Sequence, residues 1–250
     1  MKKILPILVY SLIILLFSPL VYSADVDLPG ISIDFGGKSD VAETATAFKL
    51  LLTMTVLSLA PSLIILMSSF TRIIIVLSML RHAFGMQQTP PNTVLISLAL
   101  ILTVFNMSPV FKEINENSFQ PYLAGKLATE KAIDLGMKPL RTFMVSQTRE
   151  QDMAVILEIN KQEAPDNIDD LEHLQLIAAF LLSELKTAFQ IGFVIFLPFL
   201  LVDLVVASIL MSMGMIMVPP MMISLPLKIL MFVLIDGWAL VVQSLLNSFQ

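Results

Sequence analysis

The sequence has no cysteine, two histidines and one tryptophan in 250 residues, and only 14% of it is charged. Without cysteine there is no disulfide, thiolate metal site or cysteine nucleophile, although the redox compartment stays open. His82 and His173 are far apart and lack helical ligand spacing, which argues against a histidine metal site. No tract of clustered Lys and Arg occurs, so no nucleic acid partner is expected. Walker A, GxSxG and HExxH sequences are also missing. The expectation is therefore a protein that is not an enzyme and holds no cofactor, with any ATP used by partners.

What fills the sequence instead is apolar. Hydrophobic residues make up 56%, against about 45–50% in soluble proteins, and mean hydropathy is +0.86. That composition is that of a membrane protein in contact with lipid. Lys2 and Lys3 precede an apolar run from Ile4 to Leu16, then Ser18, Pro19 and the small-residue exit around Ser23 and Ala24. This is the pattern of a signal peptide over residues 1–23 cleaved after Ser23, with an uncleaved anchor as the alternative. A polar segment, residues 24–47, follows.

Four apolar segments come next, each near or above the roughly 20 residues a bilayer core requires. The first runs from Leu50 to Thr71, with Pro61 expected to kink it and Arg72 to interrupt it before a continuation to Leu80. The second, Asn92 to Val110, is entered through GMQQTPPN, whose prolines Pro90 and Pro91 mark a turn. Together residues 48–110 read as a first apolar helical hairpin, with Arg72 and Arg81 as snorkelling ends. The remaining two, Thr187 to Val218 and Met221 to Leu246, make residues 187–250 a second hairpin.

Between the hairpins, residues 111–186 carry 8 Lys and Arg against 13 Asp and Glu, a net of 8 − 13 = −5, equal to the formal charge of the whole chain. From Thr142 to Asn160 apolar and charged residues interleave in a helical rhythm. Asp169 or Asp170 is the expected N-cap of the next helix. Phe119, Tyr122, Phe143 and Met144 are expected in a core or a subunit interface. The Arg81 to Asn92 connection, placed on the cytoplasmic side by its basic residues, puts the acidic segment outside.

From Glu184 to Trp238 two apolar runs with internal charges flank the junction MSMGMIMVPPMM. A charge deep in hydrocarbon costs at least about 2.5 to 3.5 kcal/mol, so Asp203, Lys228 and Asp236 must face protein, water or one another. Glu184 and Lys186 lie two apart, on different faces of a helix, and each needs a partner elsewhere. Lys228 and Asp236 share a face two turns apart without touching. These five charges fit either a proton path or salt bridges between helices or subunits, and the second reading is favoured.

The strings FTRIIIVLSMLRHAFGMQQTPPNTVLISLALILTVFNMSPVF, FLLSELKTAFQIGFVIFLPFLLVDLVVASILMSMGMIMVPP and ISLPLKILMFVLIDGW resemble three signature blocks of the FliP/SctR family of type III secretion export-gate proteins. The resemblance covers nearly everything from Phe48 onward, and the signal peptide tilts it toward the flagellar branch. It implies an all-α membrane protein of bent helical hairpins that assembles into a helical, pore-forming oligomer. It also implies partners: FliQ-like and FliR-like membrane proteins, other export-apparatus membrane proteins, and unfolded flagellar subunits as cargo. The location implied is the inner membrane within the flagellar basal body. The family's methionine-rich gasket maps onto Met213, Met215 and Met217, with Met211, Met221 and Met222 beside it and Ile216 interrupting the run. Ordinary packing is the alternative for these methionines; their density beside Gly214 and Pro219-Pro220 favours the gasket.

Two other classes compete. A secondary transporter or proton channel would use buried Asp203 and Lys228, but no inverted repeat is visible. An intramembrane aspartyl protease would pair Asp203 with Asp236, yet Asp236 stands in LIDGW without the glycine-flanked surroundings expected of such a pair.

Overall fold

The computed structural model describes residues 41–86, 88–160, 171–215 and 217–249. The expected signal peptide, Asp169, Asp170 and Ile216 lie outside these residues. Among the described residues every regular element is helical: α1 (Val41–Leu66), α2 (Phe70–Ala83), α3 (Asn92–Asn106), α4 (Ser108–Ile114), a π-helical turn (Asn115–Phe119), α5 (Gln120–Leu123), α6 (Thr129–Gln147), α7 (Glu150–Ile159), α8 (His173–Ser212), α9 (Pro220–Leu234) and α10 (Gly237–Asn247). The chain divides into two units, residues 1–56 and 57–250. In the first, the described part is the opening of α1, where Thr53 and Thr55 return their hydroxyls to the carbonyls of Lys49 and Leu51.

The protein is an all-helical membrane protein. The stretch Phe48–Leu66 of α1 and the whole of α8 are each long and apolar enough to cross a bilayer. Two further candidates are bent pairs: α3 with Ser108–Leu123 at 60°, and α9 with α10 at 67°.

The first break falls elsewhere than the sequence suggests. Pro61 lies within the uninterrupted α1, and the chain turns at Met67 to Ser69. There the Ser68 hydroxyl donates to the Ile65 carbonyl at 2.6 Å and accepts from the Phe70 N–H at 3.3 Å, a local alternative to the helical ladder. Arg72 does not interrupt anything; it lies inside α2 and is buried.

Helix α2 is built from a β-branched run that favours helix weakly by itself, so burial has to hold it. Ile73, Val76, Leu77, Leu80 and Phe84 recur at helical spacing and all face the core. They meet Leu95, Ala99 and Leu102 of α3, Ala188 and Phe199 of α8, Phe232 of α9, and Val241 and Leu245 of α10. Phe84 anchors an aromatic cluster, 4.9 Å from both Phe199 and Phe232. Opposite faces stay open: Val94, Ile101, Val104 and Phe105 of α3 are exposed, as are Phe189, Phe193, Leu197 and Leu201 of α8.

A second core joins the acidic segment to α8 through Met67, Met107, Leu140, Met144, Leu176 and Phe180. Of the aromatics expected there, Phe143 packs against this core while Phe119 and Tyr122 are exposed. The helical rhythm from Thr142 to Asn160 is two helices, broken where Thr148 and Arg149 turn extended. The Arg149 N–H freed by that break is taken up by the Ser183 hydroxyl of α8 at 3.0 Å. Glu172 occupies the capping position of α8. From there α8 runs 40 residues without a break at 186, about 60 Å of helix.

Arg72 ties these parts together. Its Nε donates to Glu184 Oε2 at 2.9 Å and its Nη2 to Glu184 Oε1. Nη2 also donates to Gln147 Oε1 at 3.1 Å, and Nη1 to the carbonyl and hydroxyl of Ser248 at 2.7 and 3.0 Å. All five guanidinium protons are thereby placed, and the Phe249 ring covers the group at 3.8 Å. Arg72 is 2% exposed and Glu184 fully buried, so the snorkelling expected of Arg72 does not occur. Stranding one member of such a pair costs about 3 to 5 kcal/mol. Glu184→Ala should lose stability on that scale in denaturant unfolding in mild detergent, whereas an Arg72→Met, Glu184→Leu double variant should lose much less. Equal losses would contradict the pairing.

Candidate functional site

The methionine junction sits between α8 and α9. Its geometry follows from the end of α8, where the Gly214 N–H donates to the Met211 carbonyl and the Met215 N–H to the Leu210 carbonyl, each at 3.0 Å. These are the paired bonds of a Schellman termination, which places the residue after the cap in the left-handed region. Gly214 has φ +76°; the space around its Cα is open, but a side chain there would be strained whatever the room. The restart is set by proline. Pro219 is extended at the cap and Pro220 opens α9, where its missing N–H is not needed.

Between these two stops the chain buries little of its apolar surface. Met211, Met213, Met215, Met221 and Met222 are all exposed, and Met217 is 97% exposed. Six unbranched thioether side chains on and beside this link, each exposed to some degree, can adapt to irregular neighbours.

Farther along the same two helices lies a polar latch. Asp203 of α8 accepts from Lys228 Nζ of α9 at 2.6 Å and from the Ser224 hydroxyl at 2.6 Å. Lys228 Nζ also donates to the Ala83 carbonyl at 3.0 Å, one of the last carbonyls of α2, where a cation is favoured by the helix dipole. Lys228 is buried, while the Asp203 side chain keeps 38% of its exposure. The latch therefore fixes where α9 starts relative to α2 and α8.

The other expected charges separate. Lys186 reaches Asp152 of α7 at 3.4 Å, from a half-exposed position. Asp152 is buried and also accepts from the Ser183 hydroxyl at 2.8 Å. Asp236 does not join Lys228. It is exposed, makes no ion pair among the described residues, and forms the α9–α10 elbow in a left-handed conformation with φ 52° and ψ 50°. Gly237 beside it is required by close approach, since a Cβ there would lie 2.2 Å from the Phe232 ring.

Sequence reasoning did not identify Arg72, Asp152, Gln147, Ser224 or Ser248 as partners. For Arg72 a signal was present, because a guanidinium amid isoleucines has to be neutralised. Asp152 and the two serines carry no such signal; their roles come from which helix faces meet.

Comparison with known proteins agrees along most of the length. The model of the FliP family matches residues 53–245. The flagellar biosynthetic protein FliP of Bacillus subtilis (strain 168) is 50% identical over 217 residues, 87% of this chain and 98% of that relative. The Pectobacterium carotovorum subsp. carotovorum protein of the same name is 47% identical over 89% of this chain and 86% of its own. That of Borreliella burgdorferi (strain ATCC 35210 / DSM 4680 / CIP 102532 / B31) is 41% identical, covering 90% and 89%. With the helical membrane architecture, the match over residues 53–245 shows that this chain belongs to the FliP family.

Proposed function

We propose that the protein is a core pore-forming subunit of the flagellar type III secretion export gate. It lies in the bacterial inner membrane, passes unfolded flagellar subunits across it and acts without catalysis. Several copies assemble with FliQ-like and FliR-like membrane proteins and face other export-apparatus proteins. The acidic segment, residues 111–186, is oriented toward the periplasm, following the basic residues of the Arg81 to Asn92 connection.

The observation that carries this reading is the uncovered methionine link. In one chain Met213, Met215 and Met217 project from a turn whose backbone is pinned by Gly214 and Pro219. Repeated around an axis, such links form a ring of soft, polarizable side chains that closes against ions and parts for a polypeptide of any sequence. The exposed face of α8 supplies apolar surface for neighbouring subunits.

The rival reading, a secondary transporter or proton channel, draws on the half-exposed Asp203 carboxylate beside Lys228. Against it, Lys228 is anchored on a backbone carbonyl and Asp203 on Ser224, an arrangement suited to holding helices in place.

Native mass in mild detergent separates the two. A discrete high-mass assembly incorporating FliQ-like and FliR-like companions is expected, and a persistent monomer or simple dimer would favour the transporter. Lys228→Ala strands the Asp203 carboxylate and should abolish that assembly; normal assembly with lost secretion would assign the pair to transport instead. Met215→Ala with Met217→Ala should leave the membrane leaky to small ions while secretion partly survives, as read by conductance and growth. Phe, Ile or Leu at the same positions should preserve more closure. Unchanged conductance in the double alanine variant would remove the gasket role.

A further inference from the structure

On α2, α8, α9 and α10, three ion pairs match most of the charge: Arg72 with Glu184, Lys186 with Asp152, and Lys228 with Asp203. Setting the histidines aside, two charged side chains of these four helices and the α9–α10 elbow are left over among the described residues, and they have opposite sign. They are Arg81 near the end of α2 and Asp236 at the α9–α10 elbow.

Each is held in place without being neutralised. Arg81 Nη1 donates to the Pro90 carbonyl at 3.3 Å and to Asn92 Oδ1 at 2.6 Å, both uncharged, and its buried Nε has no acceptor. Asp236 is exposed among Val233, Leu234, Ile235 and Trp238, all exposed and apolar. An uncompensated charge in such surroundings is expensive in a membrane.

The two also lie toward the same end of the bundle. Lys228 Nζ reaches the Ala83 carbonyl, Phe84 is 4.9 Å from Phe232, and Phe232 is 5.5 Å from Trp238. Beyond the elbow, Val241 and Leu245 of α10 join the core that α2 lines, and Ser248 meets Arg72. The elbow therefore lies toward the Arg81 end of α2, yet among the described residues neither forms an ion pair.

We propose that Arg81 of one copy pairs with Asp236 of the next copy of this chain. The inference rests on the oligomeric reading above and names the contact that propagates it. Propagated from copy to copy, the contact is heterologous, Arg81 of each copy meeting Asp236 of the next. Copies join head to tail and generate a ring or a helix as the rotation per step dictates. The apolar rim around Asp236 excludes water from the pair and strengthens it.

The lack of native cysteine makes the test direct. In the assembled complex, Arg81→Cys with Asp236→Cys, treated with a short bis-maleimide, should give a ladder of copy-to-copy adducts that neither single variant gives. Independently, Arg81→Glu or Asp236→Arg alone should lose most of the high-mass species, and the double reversal should restore it. A normal high-mass assembly with no ladder, and a double reversal no better than the singles, would overturn the pairing alone and leave Arg81 to lipid headgroups or water. A wild-type chain that stays monomeric with its companions would overturn both the pairing and the reading beneath it.

Discussion

A guanidinium enclosed by apolar helices must place every proton, and Arg72 imposes that requirement on three distant pieces of chain. Glu184 supplies charge, Gln147 and Ser248 supply the remaining acceptors, and Phe249 covers the face. They belong to three different elements, so α2, α6, α8 and the end of α10 share one position. An apolar contact tolerates sliding, whereas a planar fork of five donors does not. The register of the hairpins thus depends on this group more than on the isoleucines and leucines around it.

Satisfaction inside contrasts with openness outside. Among the described residues the buried polar side chains are almost all paired, Ser69 Oγ and Arg81 Nε being the exceptions. Meanwhile the outer faces of α3, α8 and α9 expose long apolar rows. Such surface suits lipid or neighbouring protein and not water. Gly214 and Pro219 deserve the same reading: they fix the backbone of a link whose side chains are left unpacked.

The helical membrane class was legible from composition and run length, and of the charges flagged in the apolar runs Glu184, Lys186, Asp203 and Lys228 form ion pairs while Asp236 does not. Their partners were not legible. Pairing Arg72 with Glu184 bridges 112 residues, and nothing in either neighbourhood encodes the other. One boundary shifts where a local hydroxyl competes with the ladder: α1 ends at Leu66 beside Ser68, ahead of the interruption expected at Arg72. At 186 hydropathy changes while the helix continues. The methionine link was visible by density, but its exposure depends on how α8 terminates, which one glycine decides.

The length of α8 has a mechanical side. A rod of about 60 Å carries the acidic segment at one end and the methionine link at the other. Rotating such a rod by about 10° about its acidic end displaces the far end by about 10 Å, close to the diameter of an α-helix with its side chains. A small tilt at the acidic end is thereby geared up into a displacement about one helix wide at the methionine link.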